Sequence, residues 1–198
     1  MPEWTRESPT TPLEFRESIR FEEVSFRYSS EGPLVLDRVT LEIPRGASVG
    51  IVGATGSGKS TALDLLMGFL DPILGCVLVD GNSVSDTRRR SWQSNIAHVP
   101  QMIFLADASL AENIAFGLPV REVDMDRVRE VAGLAAVADF IESQPSGYGA
   151  RVGERGVKIS GGQRQRIGIA RALYKGAEVL ILDEAASALD GTTESLVI

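Results

Sequence analysis

The chain has 198 residues, 43% of them hydrophobic, so it can bury one substantial core as a compact unit that carries an inserted lobe. Its formal net charge of −7 denies it the global positive field that would hold nucleic acid or anionic lipid. The single cysteine, Cys76, excludes an intrachain disulfide and reads as a small core residue in a reducing compartment. No apolar run approaches the ~20 residues that span a bilayer, and the N-terminus lacks a signal peptide, so the chain taken alone reads as soluble and cytoplasmic.

Residues 1–18 are rich in Pro, Thr, Ser, Glu and Arg without apolar periodicity, the composition of a tail or linker. From Ile19 the pattern alternates. Ile19 to Glu22, Val24 to Tyr28 and Val35 to Ile43 are expected as antiparallel strands with one solvated face. Ala47 to Val52 is mostly apolar and runs into a glycine-rich turn, as a strand buried on both faces should.

That turn is Gly53-Ala54-Thr55-Gly56-Ser57-Gly58-Lys59-Ser60, followed by Thr61, and it fits the pattern G-x-x-x-x-G-K-[ST] between a strand and a helix. Glycines let backbone N–H groups close around phosphates, and the helix N-terminus adds positive potential. Lys59 can reach the outer phosphates and Ser60 can hold Mg2+. Alone, the pattern says only nucleoside triphosphate. Leu63, Leu66, Met67 and Leu70 then form one helical stripe that ends before Asp71-Pro72.

A second helical segment, Asp124 to Glu142, places Val128, Val131, Leu134, Val137 and Ile141 on one face. A third opens at Ile159-Ser160-Gly161-Gly162-Gln163, continues through Ile167, Ile169, Ala170 and Leu173, and stops near Lys175-Gly176. Ser160 and the two glycines make a hydroxyl-plus-glycine helix start, chemically a second phosphate-binding terminus. The apolar strand Val179 to Leu182 ends in Asp183-Glu184, which brings two carboxylates to the sheet edge where ligands of α/β folds collect. With a phosphate loop in the same chain, Asp183 reads as the acid that holds Mg2+ through water, and Glu184 as the base that polarises the attacking water.

The ordered trio of phosphate loop, ISGGQ segment and VLILDE strand end closely resembles the ATP-binding cassette (ABC) family, and the resemblance runs from about Ile19 to Ile198. It implies an α/β fold: a P-loop NTPase (RecA-like) core with an antiparallel β-subdomain and an α-helical subdomain inserted over about 102–175. By the same resemblance Tyr28 is the aromatic that stacks on adenine. Gln101, in Val99-Pro100-Gln101, touches Mg2+ and the attacking water, and Asp190 belongs to a loop that reaches a partner subunit. Two cassettes pair head-to-tail, so that Ser160, Gly161, Gly162 and Gln163 of one cap the γ-phosphate held by the other.

Arg151-Val152-Gly153-Glu154-Arg155-Gly156 resembles the exporter segment that senses the membrane domain, which places the cassette at the cytoplasmic face of the membrane. Ile96 to Gln101, Phe104 to Asp107 and Glu112 to Gly117 look most like exporters of lipid-linked saccharides and related glycolipids. The family carries a switch histidine on a strand beyond Asp190, and the only histidine here, His98, precedes Gln101 and reads as a surface residue. The chain is therefore expected to be a fragment that binds ATP and hydrolyses it poorly, with a membrane domain before Ile19 and the last core strands after Ile198.

Two other readings compete. A soluble ABC ATPase of DNA repair would place a long coiled coil between phosphate loop and signature, where about a hundred residues stand here, and one acting in translation would pair two copies in one chain. A regulatory cassette that binds without hydrolysing would be separated from an enzyme by comparing ATP affinity with turnover.

Overall fold

A computed structural model describes residues 13–84, 86–153 and 157–183. The chain divides into two compact units with the boundary between Ile96 and Ala97.

The first unit carries a four-stranded antiparallel sheet of order β2-β1-β3-β4, built from β1 (Ser18–Phe26), β2 (Leu36–Pro44), β3 (Leu74–Val79) and the short β4 (Asn82–Ser83). The two strands expected over Ile19 to Glu22 and Val24 to Tyr28 are one strand with a bulge, which ends at Phe26. Ile19 and Phe21 are buried, and so are Val24 and Phe26, one residue out of phase with them. The shift falls at Glu23, which takes φ 49° and absorbs the extra residue, returning the apolar side chains to the core face. Gly75 of β3 lies against this bulge: a Cβ there would stand 2.2 Å from the Glu22 carbonyl oxygen, and its φ is 77°.

Helix α1 (Lys59–Leu66) follows the phosphate loop and stops a turn earlier than its apolar stripe suggests. Gly68, at φ 70°, takes the left-handed position. Its N–H donates to the Leu65 carbonyl (3.1 Å) and the N–H of Phe69 to that of Asp64 (2.8 Å), a Schellman closure that satisfies the helix end. Helix α2 (Asp86–Ser94) fastens onto that same end: Trp92 Nε1 donates to the Leu66 carbonyl at 2.7 Å and Gln93 Nε2 to that of Met67 at 3.2 Å. Trp92 is completely buried, and Phe15 meets its ring edge-on at 6.1 Å.

Residues 13–18 belong to the stretch expected as a linker, and here they are tied down. Leu13 N–H donates to the Ser91 carbonyl, Asn95 Nδ2 donates to the Leu13 carbonyl, and Phe15 is buried. The N–H groups of Arg16, Glu17 and Ser18 converge on the Asp80 carboxylate at 2.6, 2.8 and 3.0 Å.

Ala47 to Val52 is a correction. The doubly buried strand expected there is absent: the segment has no regular structure and is exposed, Val52 at 92%. A buried strand needs a neighbouring ladder, and no strand among the described residues pairs with this segment.

In the second unit β5 (Ile96–Val99) pairs with β6 (Val179–Leu182). Around them stand α3 (Leu110–Ile114), α4 (Met125–Leu134), α5 (Ala138–Glu142) and α6 (Gly161–Lys175). The single segment expected over 124–142 is broken into α4 and α5. Ala136 sits at φ 51°, with its N–H on the Gly133 carbonyl and that of Val137 on Ala132, the same closure that Gly68 makes. Val128, Val131, Val137 and Ile141 face the core as expected, with Leu110, Ile114, Ile167 and Ile169, whereas Leu134 is turned outward.

Candidate functional site

The phosphate loop lies in the first unit. Gly56 and Gly58 take φ of 80° and 90°, the left-handed conformations that a glycine adopts without steric cost. Residues 53–57 are exposed and Gly58 is buried, because the β1–β2 hairpin packs on it: a Cβ at Gly58 would stand 3.1 Å from the Val35 carbonyl oxygen and 3.0 Å from Leu36. Lys59 Nζ folds back to donate to the carbonyls of Gly53 (2.9 Å) and Ala54 (3.0 Å), closing the loop on itself.

Gly58, as the N-cap of α1, provides no side-chain hydrogen bond, and the first intrahelical bond is Ala62 N–H to the Gly58 carbonyl. The first-turn N–H groups of α1 thus have no capping side chain, the condition in which a helix start accepts an anion. Ser60 is exposed in that turn and Thr61 is buried beneath it. The phenol oxygen of Tyr28 lies 2.9 Å from Thr61 Oγ1, while the residue as a whole stays 67% exposed and its ring meets Phe26 edge-on at 5.0 Å. The hairpin and the helix start therefore touch at two points, Val35 and Leu36 on Gly58, and Tyr28 on Thr61.

The second unit holds the remaining described candidates. Ser160 is the N-cap of α6 in a reciprocal box: its Oγ accepts from Gln163 N–H at 3.2 Å, and Gln163 Oε1 accepts from Ser160 N–H at 2.9 Å. Ser160 and Gly161 are exposed, and the helix ends at Gly176 in the left-handed conformation. Asp183 leaves β6 with its N–H on the Val99 carbonyl at 3.0 Å, so the ends of the two strands that deliver Gln101 and Asp183 are tied together. Gln101 is exposed. Two residues on, Ile103 packs so closely on Gly168 of α6 that a Cβ there would meet its Cδ1 at 2.5 Å.

Asn113 was not singled out by sequence reasoning, although it sits within a stretch that was. It is completely buried; its Nδ2 donates to the carbonyls of Ala106 and Ser109 at 3.0 Å each, and its Oδ1 accepts from Ala106 N–H at 2.9 Å. Arg171 Nε donates to the Asn113 carbonyl at 2.9 Å, and its guanidinium lies 4.6 Å from the Phe116 ring centroid. Glu112 closes a capping box with Ser109, whose hydroxyl and N–H hold its carboxyl below the usual range. Arg151 joins the group: Leu110 N–H bonds to Ala150, Val152 N–H to Ala108, and the Arg151 guanidinium to the Asp107 carbonyl at 3.0 Å. The segments 104–117 and 150–152 thus form one hydrogen-bonded surface against α6. Glu184, Asp190 and 154–156 lie outside the described residues.

The residue types fit a magnesium nucleotide. Mg2+ takes oxygen ligands from one or two side chains and the substrate phosphates, and Ser60 is exposed in the first turn of an uncapped helix to provide one of them.

The sequence pattern of the ABC transporter family matches residues 36–187. The chain belongs to the ABC transporter family. It is 42% identical over 180 residues to the ATP-dependent lipid A-core flippase of Ralstonia nicotianae, an overlap of 90% of this chain and 30% of the flippase. It is 45% identical over 182 residues to the heterocyst differentiation ATP-binding protein HepA of a Nostoc species, covering 92% of this chain and 30% of that protein. A bacterial Atm1-family ABC exporter solved with ATP bound is similar over 96% of this chain and 33% of its own, with a TM-score of 0.84 at 39% identity. The chain thus has the α/β fold of an ABC ATPase, and it spans about 30% of the length of these curated relatives. No helix among the described residues is long and apolar enough to cross a membrane.

Proposed function

We propose that this chain is the ATP-binding and ATP-hydrolysing cassette of an ABC exporter, held at the cytoplasmic face of the membrane by a transmembrane domain and paired head-to-tail with a second cassette. The observation that carries the reading is the uncapped start of α1 behind a glycine loop whose own lysine closes it. Phosphate oxygens would take the first-turn N–H groups, and Lys59 would exchange two neutral carbonyls for an anion, a stronger charge-assisted bond. Tyr28 offers an exposed aromatic face tethered to the same helix turn, suited to the adenine ring.

Ser60, with Asp183 through water and Gln101, would hold Mg2+, which when bound neutralises charge on the phosphates. Glu184 would act as the base that orients and polarises the attacking water. The Ser160 cap orients the start of α6, so that Ser160, Gly161 and Gly162 can present to a γ-phosphate held by the second cassette. Asp190 would reach that cassette. Likeness to a lipid A-core flippase supports a lipid-linked saccharide or glycolipid as cargo.

Titration of the chain with ATP and Mg2+ tests the binding reading: Lys59→Ala should weaken binding at least tenfold, and equal binding by the variant would overturn it. In the complete transporter, Glu184→Gln should keep ATP binding and abolish turnover. Export of peptides or drugs with no movement of glycolipid would overturn the cargo.

A further inference from the structure

We infer that Thr61 is a positioning residue for the nucleobase: its hydroxyl holds the Tyr28 phenol, so the orientation of the ring is set by the first turn of α1. The inference rests on the nucleotide reading above and adds to it a residue that governs how much of the affinity comes from the base.

Tyr28 follows β1 in the hairpin connection, and with 67% of its surface exposed it has little packing to choose a rotamer. Two contacts restrain it, the Phe26 ring edge-on at 5.0 Å and Thr61 Oγ1 at 2.9 Å. Phe26 is part of the same hairpin and moves with Tyr28. Thr61 is the one that refers the ring to the helix bearing Lys59 and Ser60. Thr61 is 5% exposed in the first turn of α1, and that burial, with the contact to Tyr28 itself, selects the rotamer that puts its hydroxyl on the phenol. The neighbouring contact strengthens the argument. Leu36 and the Val35 carbonyl lie 3.0 and 3.1 Å from where a Cβ of Gly58 would stand, so the hairpin base is seated on the helix start beside the Tyr28 tether. A flat ligand on Tyr28 and an anion on the first turn of α1 are thereby held at one separation, and affinity for a molecule with both parts gains from that preorganisation.

The test compares Mg-ATP with Mg-tripolyphosphate, which lacks a base, on the full chain and its variants by calorimetry. Thr61→Val and Tyr28→Phe should each lower the preference for ATP over tripolyphosphate by about three- to tenfold, the worth of one net hydrogen bond. The double variant should lose no more than either single one, because both remove the same contact. Thr61→Ser, which restores the hydroxyl, should recover the wild-type preference. A preference unchanged in Thr61→Val, or losses that multiply in the double variant, overturns the inference while leaving the nucleotide reading intact. If neither ligand binds the unaltered chain, the nucleotide reading fails, and this inference fails with it.

Discussion

Gly75 lies against Glu22 so closely that a single added carbon would stand 2.2 Å from the Glu22 carbonyl oxygen, and the Glu23 carbonyl is only 2.4 Å away. Both obstacles are backbone, so no side-chain rotation relieves them. Since Gly75 also sits at φ 77°, Gly75→Ala should destabilise the chain by about 2–4 kcal/mol, by steric clash and backbone strain together. Urea denaturation measures it; a loss below about 0.5 kcal/mol, the scatter of ordinary surface changes, would contradict the bulge geometry.

Asp80 ties residues 16–18 to the end of β3. Burial raises its pKa, but the N–H groups of Arg16, Glu17 and Ser18 outweigh that and hold the carboxyl below its usual value. The folded pKa is therefore lower than the unfolded one. The stabilisation is present above the ordinary carboxylate value of about 4 and is lost as pH falls through the folded pKa. Asparagine tolerates the φ of 48° that Asp80 adopts, so Asp80→Asn isolates the charge. It should cost about 1–3 kcal/mol at pH 7. The difference in melting temperature between variant and parent should shrink as pH falls below about 4.

The box at α6 separates capping from ligand binding. Ser160→Ala should cost about 1 kcal/mol of stability, and Gln163→Ala, which frees the Ser160 N–H, a comparable amount. The two losses should be less than additive, because each side chain closes the other's half of the box. Thermal melts of the two single variants and the double variant read this directly.

The Asn113 side-chain amide makes four hydrogen bonds, with Ala106 N–H, the Ala106 and Ser109 carbonyls and Arg171 Nη2, and its backbone carbonyl accepts a fifth from Arg171 Nε. Asn113→Ala leaves the Ala106 N–H without its acceptor, while the Ala106 and Ser109 carbonyls keep the N–H groups of Ala108 and Asn113, and should destabilise by about 1–3 kcal/mol. Amide exchange should quicken at Ala106, a local signature that general loosening would not single out.

Features whose cause is local were legible in the sequence. The start of α1 at Lys59, the Ser160 helix start and the Gly176 stop are each determined by a few adjacent residues, and the helices begin and end where the pattern puts them. The hairpin was legible as strands, but the Glu23 bulge was not, since it depends on a partner glycine some fifty residues away. Ala47 to Val52 has the composition of a buried strand, yet composition supplies no ladder. The break at Ala136 left no mark because alanine is a helix former, and only backbone geometry betrays the left-handed residue. Gly68 was the neglected signal: a glycine one position beyond a helix cap is a stop, and it ends α1 before Leu70 can join the stripe.

Phe15 has a practical consequence for anyone who cuts this gene. A recombinant cassette begun at Ile19, where the alternating pattern of the sequence starts, would delete Phe15 from the Trp92 ring and remove the three amides from Asp80. Trp92 Nε1 in turn donates to the carbonyl of Leu66, the last residue of the helix that starts at Lys59. The shorter protein would meet water at the indole that anchors its nucleotide helix, and its weakened binding would be mistaken for a property of the loop.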